Sequence, residues 1–435
     1  MEQKNVRTRR HTLGQSQLSH LLSQLDHSVA LVSGGQPLTQ DTKSQESRKP
    51  EKFSIYSGLP LHIECNSTKL ALPPRLDTTS EGHLAELPFL KGWIGAKSYS
   101  EGLDFFGYYT WSYTYCHNSG KGIFVFSDEC SEEIEQTILE LVNTNINTNT
   151  THTVSRSYKR LADFDWVKSQ DFNRYADAFT KLQSYILAGD CYQANLTQRF
   201  EAPCDVSKMD LIDIFFNGVD NSQANYCAFI QISRDNYLLS FSPEKFIESN
   251  HRQLVSKPIK GTVKSNGEIT DCERALLLNA KNRAENLMIV DLLRNDMSKV
   301  SELNSVKVPK LFEIESYENV HHLVSTISSS LSSGISEFEA FCAVFPGGSI
   351  TGAPKKRAME IIDELEVHPR RYYCGSVFYW DYRGNFDSNI LIRTAEVLNN
   401  TLYCWAGGGI VADSELASEY QESIDKIRHI TGLEK

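Results

Sequence analysis

The amino-acid sequence predicts an α+β fold in which amphipathic helices are mixed with antiparallel strands. Strand-like runs separated by polar turns indicate an antiparallel meander, and they cover residues 226–232, 237–242 and 245–249. Helical patterns of apolar residues cover 271–297, 355–365 and 414–430, and further strand-like runs cover 372–380 and 390–398. This mixture favours an α+β class over a doubly wound parallel sheet.

The N-terminal third differs in composition from the rest of the chain. Residues 36–52 are rich in Gln, Ser, Lys and Asp, as in a surface loop, and residues 143–151 are Asn and Thr apart from Ile146. Asn and Thr compete for backbone hydrogen bonds, so the second stretch is interpreted as a linker. We therefore expect an N-terminal region at 1–155 and a second domain at 156–435, which begins with a helix that ends at Gly189.

Composition and charge restrict the function. The chain has 435 residues, 40% of them hydrophobic, and 44 Lys and Arg against 55 Asp and Glu give a net charge of −11. This apolar content excludes overall disorder, and the length suggests two or three domains. The acidic balance disfavours nonspecific nucleic-acid binding, because that binding depends on cations at phosphate groups.

The sequence also indicates a compartment. No apolar run approaches the ~18 residues of a membrane span, and the arginines near the start are not followed by the apolar stretch of a signal peptide. Ten scattered cysteines without a Cys-x-x-Cys pair indicate reduced thiols rather than disulfides or a zinc site. We expect a cytoplasmic protein with no membrane and no nucleic-acid partner.

Two glycine-rich segments have the character of ligand-binding loops. Residues 346–355 run into a helix, and N–H groups at such a helix start attract anions. They do not form a P-loop, because Ala353 and Pro354 replace the Lys and Ser/Thr that it requires. Residues 407–412 imitate a dinucleotide fingerprint, but too few residues follow for the βαβ unit. The alternatives are a plain turn for the first segment, and a close backbone approach or a simple bend for the second.

Acidic residues at helical spacing are compatible with a metal site. Glu415, Glu419 and Glu422 fall at i, i+4 and i+7 of the last helix, and Glu285 is a second source of carboxylate. Such a row is usually a solvated face, but one or two carboxylates with water and substrate oxygens also suit Mg²⁺. Spacing alone does not choose between these interpretations.

Three further side chains have the chemistry of catalysis. Lys260 would be a nucleophile if burial or a neighbouring cation lowered its pKa, and Glu244 would be a general acid or base if it were partly buried. His322, in a His-His pair, could orient or protonate a substrate. Considered alone, each is equally compatible with a solvated or a core position.

Taken together, these segments resemble the chorismate-utilising enzymes, a family that includes anthranilate synthase component I, aminodeoxychorismate synthase component I and the isochorismate and salicylate synthases. The resemblance is dense from residue 189 to residue 422. It is carried by 189–200, 242–244, 258–262, 283–296, 321–325, 346–355, 392–394, 406–411 and 419–422, and more loosely by 30–34 and 87–95. The family implies a four-layer α/β/β/α fold around two orthogonally packed antiparallel sheets.

Two positions indicate the branch of that family. Water-using members carry a lysine where Gln193 stands, so the resemblance implies an enzyme that uses ammonia. Anthranilate synthases generally have alanine where Lys260 stands, and a lysine there is similar to aminodeoxychorismate synthase component I. This implies conversion of chorismate and ammonia to 4-amino-4-deoxychorismate, for 4-aminobenzoate and folate synthesis. The sequence has no Gly-x-Cys-x-Gly turn of a glutaminase, so a separate glutamine amidotransferase subunit would supply the ammonia.

The resemblance also implies a role for each site residue. Lys260 would attack C2 of chorismate, Glu244 would protonate the departing 4-hydroxyl, and His322 would orient the substrate. Mg²⁺ on Glu285 and Glu422, with Glu419 close by, would hold the ring carboxylate. Arg393, Tyr373 and backbone N–H groups near Gly408 would meet the other carboxylate. The substrate-binding set is completed by Gln193, Thr351, Gly352 and Gly409.

One departure keeps other functions open. Phe378 stands where the family usually has glycine, and a bulky ring there could reshape the pocket. The alternatives are therefore an anthranilate synthase-like activity and a non-catalytic chorismate-binding homologue. Residues 34–42 match poorly the stretch that holds tryptophan in relatives, so tryptophan binding is not expected.

Overall fold

The structure, a computed structural model, describes residues 6–33, 52–72, 84–147, 159–222, 224–265, 268–316 and 320–434. No helix in these ranges combines the length and the apolar character needed to cross a membrane. The helices are α1 (Gln15–Ser23), α2 (Glu132–Asn147), α3 (Phe172–Ala188), α4 (Leu211–Ser222), α5 (Asp271–Leu277), α6 (Ala280–Ser298), α7 (Glu337–Val344), α8 (Lys355–Leu365) and α9 (Leu416–Thr431). The strands are β1 (Arg7–Arg10), β2 (Val29–Val32), β3 (Phe53–Ser57), β4 (His62–Cys65), β5 (Gly92–Lys97), β6 (Phe105–Tyr109), β7 (Trp111–Cys116), β8 (Lys121–Phe126), β9 (Val167–Lys168), β10 (Gln193–Pro203), β11 (Tyr226–Ser233), β12 (Asn236–Ser242), β13 (Lys245–Asn250), β14 (Gln253–Ser256), β15 (Ile259–Lys264), β16 (Lys307–Ser316), β17 (Val320–Ser330), β18 (Gly352–Ala353), β19 (Ser376–Asp381), β20 (Phe386–Asn389), β21 (Thr394–Leu398) and β22 (Thr401–Ile410).

These strands form two antiparallel sheets. The first sheet has twelve strands in the order β1-β8-β7-β3-β2-β11-β12-β21-β22-β10-β18, with β9 also paired to β10. The second has ten strands in the order β15-β17-β14-β13-β20-β19-β5-β6-β4, with β16 paired to β17. The long pair of β10 and β22 joins Ala194 to Ile410 at one end and Pro203 to Thr401 at the other. This pairing brings the second predicted glycine-rich segment, at residues 407–412, beside Gln193.

Apolar side chains on both faces of each sheet give the order of the layers. Between the sheets, Ile230 and Leu238 of the first sheet pack in one core with Phe105 and Val377 of the second. The outer face of the first sheet packs on α1, α2, α4 and α9, and that of the second on α6 and α7. Burial of these apolar surfaces stabilises the stack. The α/β/β/α order confirms the predicted four-layer α+β architecture.

Helix α3 shows how local sequence sets the ends of an element. Asp171 at the N-cap accepts a hydrogen bond from the backbone N–H of Arg174, which satisfies one of the unpaired donors of the first turn. Gly189 ends the helix at a φ of 85°, a conformation that favours glycine. The predicted helix and its stop are thus confirmed, and the chain turns from them into β10.

The predicted meander at 226–249 is wrong in its third strand. β11 pairs with β12, but β12 then pairs with β21, and β13 lies in the second sheet. Pro243, between β12 and β13, has no backbone N–H to continue a ladder. The hydroxyl of Ser242 instead donates to the carbonyl of Ile390. The chain crosses between the sheets here, and Glu244 lies at the crossing.

The predicted linker at 143–151 is wrong at its start. Helix α2 continues to Asn147, and the hydroxyl of Thr144 donates to the carbonyl of Glu140 within the helix, so it does not compete with the helical backbone. Residues 148–151 of the linker and 36–51 of the predicted loop lie outside the described residues. Strands from the N-terminal region pair in both sheets, β2 with β11 and β5 with β19, so the two predicted regions share both sheets.

Candidate active site

One cavity of about 510 Å³ gathers most of the predicted site residues. They come from distant parts of the chain: the crossing after β12, strands β15, β17 and β22, the segments before β19 and before β21, and helices α6 and α9. The predicted residues that line the cavity are Glu244, Lys260, Glu285, His322, Tyr373, Arg393, Gly408, Gly409, Glu419 and Glu422.

Three predicted residues, Gln193, Thr351 and Gly352, lie behind the cavity wall. Gln193 is 1% exposed at the start of β10. The hydroxyl of Thr351 donates to the carbonyl of Gly347, and Gly352 pairs with Ala194 at a φ of 152°. The glycine-rich segment 346–355 therefore supports β10 from behind rather than lining the cavity with these residues.

The second glycine-rich segment is the end of β22, and its glycines allow close approach on both faces. A Cβ atom on Gly407 would overlap the carbonyl oxygen of Leu196, and one on Gly409 would overlap Nε2 of Gln193. A Cβ atom on Gly408 would lie 3.1 Å from Oε2 of Glu419. The interpretation as a strand end approached closely by other groups is confirmed, and the simple bend is wrong.

Glu244 is the buried carboxyl group of the site. It is 7% exposed, and burial raises its pKa from 4.5 to about 7 although the charge of Lys260 opposes the shift. The side chain of Ser349 and the backbone of Ile259 also hydrogen-bond to it. A carboxyl group with a pKa near 7 can give and take a proton at neutral pH.

Lys260 faces the same cavity from β15. Burial lowers its pKa below the ordinary value of 10.5, while the carboxylates of Glu285 and Glu244 oppose that effect. The following residue, Gly261, has a φ of 88°, and a Cβ atom there would lie 2.9 Å from Nδ2 of Asn282. The turn at Gly261 thus lets β15 pass α6 closely. Because the pKa of Lys260 is lowered, a larger fraction of its side chain is the free amine than in an exposed lysine.

Arg393 supplies a positive charge without a matching carboxylate. Burial lowers the pKa of its guanidinium, and no carboxylate of the described residues counters the shift. The backbone at Arg393 has a φ of 52°, which interrupts the predicted strand at 390–398 so that β21 begins only at Thr394. An unmatched guanidinium in a cavity wall is suited to bind a carboxylate through paired hydrogen bonds.

His322 and His321 point to opposite faces of β17. His322 is 5% exposed in the cavity wall, and burial, with the charge of Arg393 adding to it, lowers its pKa to about 4. Its Nδ1 lies 2.8 Å from the hydroxyl of Thr262. His321 is fully buried on the other face, where Nδ1 lies 2.8 Å from the hydroxyl of Ser316. Only His322 is therefore placed to meet a bound molecule.

The three predicted metal ligands share the cavity without forming a compact cluster. Among the described residues, no three His, Cys, Asp or Glu side chains are grouped closely enough to hold one metal ion. Oε2 of Glu419 and Oε1 of Glu422 lie 3.1 Å and 3.6 Å from the Cβ position of Gly408. Two carboxylates facing one space fit Mg²⁺, which takes one or two of them with water and substrate oxygens.

Lys426 is a site residue to which the sequence analysis gave no role. Its Nζ lies 2.7 Å from Oε1 of Glu422 and donates to the carbonyl of Gly407 at 2.9 Å. Burial would raise the pKa of Glu422, but Lys426 lowers it. Glu422 and Lys426 are four residues apart on one helix, a spacing typical of an ion pair. This spacing is the feature of the sequence that could have indicated Lys426 as a site residue.

Ser349, Thr262 and Trp405 also line the cavity and were missed. Trp405 stacks on Tyr373 with ring centroids 6.3 Å apart. No residue pattern distinguishes these three in the sequence, because each acquires its position from the pairing of distant strands.

Phe378 does not reshape the cavity. Its ring is 1% exposed in the core of the second sheet, with ring centroids 5.5 Å from Phe106 and from Phe338. It is absent from the cavity lining. The reason for expecting a distorted, non-catalytic pocket is therefore removed.

Comparison with known proteins agrees with this geometry. A profile of the family described as chorismate binding enzyme matches residues 89–432. The chain is 42% identical over 301 residues to aminodeoxychorismate synthase component 1 of Escherichia coli (strain K12), covering 68% of this chain and 66% of that protein. It is 46% identical over 268 residues to the protein of that name from Klebsiella aerogenes, covering 61% and 58%.

A solved structure is similar over most of its length. The crystal structure of anthranilate synthase component I from Streptococcus pneumoniae TIGR4 aligns with a TM-score of 0.73 and 27% identity, covering 90% of this chain and 95% of that one. By contrast, the chain spans 66% and 58% of the lengths of these two curated relatives, less than two thirds of each.

Proposed function

The chain belongs to the chorismate binding enzymes, and on that premise we propose that it is the synthase component of an aminodeoxychorismate synthase. It would convert chorismate and ammonia to 4-amino-4-deoxychorismate and water. The observation that carries the proposal is that buried Glu244 and partly buried Lys260 face one cavity with pKa values shifted towards neutrality.

Arg393 is the residue that supports an anionic substrate. Chorismate carries two carboxylates, and the protein has a net charge of −11, so binding requires local positive charge. The guanidinium of Arg393 lacks a carboxylate partner among the described residues and would take one substrate carboxylate, next to Tyr373. His322, neutral at pH 7, would orient the substrate by a hydrogen bond without adding charge.

The proposed reaction has two displacement steps. The amine of Lys260 forms a bond to C2 of chorismate, the two ring double bonds each shift by one position, and the C4–O bond breaks while Glu244 gives its proton to the departing hydroxyl, which leaves as water. Ammonia then bonds to C4, the two double bonds shift back, and Lys260 leaves with its electron pair as a neutral amine. Glu244 regains a proton from the new C4 ammonium. Covalent catalysis of this kind divides one difficult displacement into two easier steps.

The proposal includes Mg²⁺ held by Glu285 and Glu422, with Glu419 close by. When bound, the ion would neutralise the ring carboxylate and fix the ring. The two carboxylates that face Gly408 support this.

Ammonia would come from a glutamine amidotransferase subunit. The relatives are named component 1, and the sequence has no Gly-x-Cys-x-Gly nucleophile turn of its own. We also propose a cytoplasmic location, which the ten free cysteines support because none forms a disulfide. The product would then enter 4-aminobenzoate and folate synthesis.

Product identification tests the proposal. The protein is incubated with chorismate, Mg²⁺ and ammonium chloride, and the products are separated and identified by mass spectrometry. We expect 4-amino-4-deoxychorismate. Fluorescent anthranilate would establish the rival activity of the anthranilate synthases. Calorimetric binding of chorismate with no product, at any ammonium concentration, would establish a non-catalytic homologue.

A further inference from the structure

Arg370 lies behind the wall of the catalytic cavity, in a buried ion pair with Glu366 at the end of α8. Arg370 is 2% exposed, its Nη2 donates to Oε1 of Glu366 at 2.7 Å, and its Nε donates to Oε2 at 2.8 Å. Thr197 of β10 holds the same carboxylate, because its backbone N–H and its hydroxyl both donate to Oε1 of Glu366. These paired bonds fix the plane of the guanidinium relative to β10.

The other bonds of Arg370 reach the cavity wall. Its Nη1 donates to the carbonyl of Ile350 at 2.9 Å, and its Nη2 donates to the carbonyl of Asn195 at 3.1 Å. Its own carbonyl accepts a hydrogen bond from the backbone N–H of Tyr373 at 2.9 Å. Because Ile350, Asn195 and Tyr373 all line the catalytic cavity, one buried residue joins three segments of its wall.

The bond to Ile350 holds the turn that carries Ser349. Gly348–Ile350 is a single turn of 3-10 helix, and the last carbonyls of so short a helix have no helical partner. Arg370 supplies a partner for the carbonyl of Ile350. Ser349, the preceding residue, is buried, and its side chain hydrogen-bonds to Glu244. The place of the Ser349 hydroxyl beside Glu244 therefore depends on a carbonyl that Arg370 holds.

Stability alone does not explain this ion pair. Burying two charges carries a large desolvation cost, so a buried pair is often no more stabilising than well-packed apolar side chains. A guanidinium adds fixed geometry, because its planar fork directs five N–H donors. Here the fork meets one carboxylate and two carbonyls at once. A lysine would keep the charge but would not reach these acceptors together.

We propose that Arg370 is a positioning residue of the active site, which Glu366 orients and which holds the turn Gly348–Ile350 so that Ser349 meets Glu244. The inference deepens the proposed function, on which it rests for its effect on turnover, because there Glu244 protonates the departing hydroxyl. The bond from Ser349 favours the ionised form of Glu244 and so lowers its pKa, as the charges of Lys260 and Lys426 also do. Loss of the fork should therefore raise the pKa of Glu244 while both lysines stay in place.

Titration of Glu244 by NMR tests this link without requiring turnover. The protein is labelled with carbon-13 at the glutamate side-chain carboxyl, and the signal of Glu244 is the one that Glu244→Gln lacks. Arg370→Lys removes the fork, and Ser349→Ala removes the hydroxyl. We expect each to raise the pKa of Glu244 by about half a pH unit or more. The double variant should raise it no further than Ser349→Ala does, because both changes break one path.

Arg371→Lys is the matched control. Arg371 is the next residue in the chain and also pairs with a buried carboxylate, that of Glu396 at 2.8 Å from Nη2, but Glu396 is not part of the cavity wall. This variant should leave the pKa of Glu244 unchanged. In turnover, Arg370→Lys should lower kcat about tenfold and keep the KM for chorismate within about threefold, since Arg393 is retained, whereas Arg371→Lys should change neither.

Chemical rescue separates the shape of the guanidinium from its charge. On the side away from the catalytic cavity, Arg370 and Glu366 line a smaller cavity of about 250 Å³ that reaches the surface at Val367, which is 44% exposed. Ethylguanidinium has the shape of the part that Arg370→Ala lacks, and it can enter from this side. We expect it to raise kcat of Arg370→Ala about tenfold. Ethylammonium carries the same charge without the fork and should not raise it.

An unchanged pKa of Glu244 in Arg370→Lys would overturn the inference, and so would an equal shift in Arg371→Lys. Additive shifts in the double variant would show that Arg370 does not act through Ser349. Equal rescue by the two cations would show that charge suffices. Should Arg370→Ala fail to fold, the lysine variant decides. If wild type makes no 4-amino-4-deoxychorismate while the pKa shifts occur, the proposed function fails and the positioning role stands.

Discussion

The hydroxyl of Thr262 lies 2.8 Å from Nδ1 of His322, across the antiparallel pair of β15 and β17. Burial, with the charge of Arg393 adding to it, lowers the pKa of His322 to about 4, so the ring is neutral at pH 7. In a neutral imidazole one nitrogen donates and the other accepts, and a hydroxyl can pair with Nδ1 in either role. Thr262 therefore holds the orientation of the His322 ring in the cavity.

Replacing Thr262 with valine removes this hydroxyl at nearly constant volume. We expect kcat/KM for chorismate to fall about fivefold to tenfold, as the loss of a hydrogen bond worth about 1 kcal/mol predicts. Thr262→Ser keeps the hydroxyl and should stay within twofold of wild type. Steady-state rates measure both variants. Equal rates for the valine and serine variants would show that Thr262 does not act through His322.

The guanidinium of Arg393 should lower the free energy of unfolding and strengthen the binding of chorismate. Because its partly buried guanidinium has no carboxylate partner among the described residues, Arg393→Met should raise the free energy of unfolding by about 1 kcal/mol. The same change should raise the KM for chorismate about 100-fold, since two charge-assisted hydrogen bonds are lost. Denaturant titration and steady-state kinetics measure the two effects.

The control for Arg393 is Arg371→Met. Arg371 makes paired hydrogen bonds to Glu396, at 3.0 Å from Nε and 2.8 Å from Nη2. Its loss leaves Glu396 buried and unpaired, so this variant should be less stable than wild type. If both methionine variants are destabilised alike, the guanidinium of Arg393 is not an unmatched charge.

Glu244 sets the high-pH limit of activity. Its acid form is needed to protonate the leaving hydroxyl, and burial raises its pKa from 4.5 to about 7. Because the pKa is raised, the acid form is complete well below pH 7 and is lost above it. The contribution of the Glu244 acid form to the rate should therefore fall as the pH rises through about 7, approaching tenfold per pH unit. The free-amine fraction of Lys260 changes in the opposite direction, since it grows as the pH rises.

Profiles of kcat against pH for wild type and Glu244→Gln measure this effect. The glutamine variant should lose about 100-fold in kcat or more and should lack the high-pH decline. A decline near pH 7 that persists in Glu244→Gln would assign it to another group.

The sequence patterns predict individual elements better than they predict the contacts between them, and the layers follow from the family resemblance. Helical spacing and the glycine stop at 189 define α3, because these are local properties of the chain. The route of β12 into β21, rather than β13, depends on Ser242 bonding to Ile390, 148 residues away. Periodicity carries no information about a partner at that distance.

Phe378 and Arg370 show the same limit near the site. In the sequence, Phe378 stands close to Tyr373 and suggests an altered pocket. Alternation along β19 directs it to the aromatic core instead, while Val377 faces the other sheet. Arg370 donates to the carbonyl of Asn195 across 175 residues, so this contact follows only from the folded chain.

Metal removal should abolish turnover without unfolding the protein. We expect chelation by EDTA to stop product formation and added Mg²⁺ to restore it, because the ring carboxylate of the substrate would otherwise face the carboxylate of Glu419 with no metal ion between them. Circular dichroism should remain unchanged, since the described carboxylates keep partners such as Lys426 and Ser414. Activity that survives chelation would rule out the Mg²⁺ proposal.

Glu422→Gln refines the metal test. It should raise the Mg²⁺ concentration for half-maximal activity at least about tenfold, because one anionic ligand is lost. Glu415→Gln, at the N-cap of the same helix and outside the cavity lining, should leave that concentration unchanged. A shift of similar size in both variants would indicate a general effect of helix charge.

Lys260 is the proposed nucleophile, and its loss should separate binding from chemistry. Wild type mixed with chorismate and Mg²⁺, without ammonium, should accumulate a covalent adduct that mass spectrometry of the intact protein and its peptides locates at Lys260. Lys260→Ala should form no adduct and should lose at least about 1000-fold in kcat, while still binding chorismate in calorimetry, because Arg393 is retained.

Lys257→Ala is the matched control, since Lys257 pairs with Glu315 at 3.1 Å and does not line the cavity. It should form the adduct as wild type does. An adduct that persists in Lys260→Ala would refute the assignment, because the electrophilic ring would then be attacked by another group.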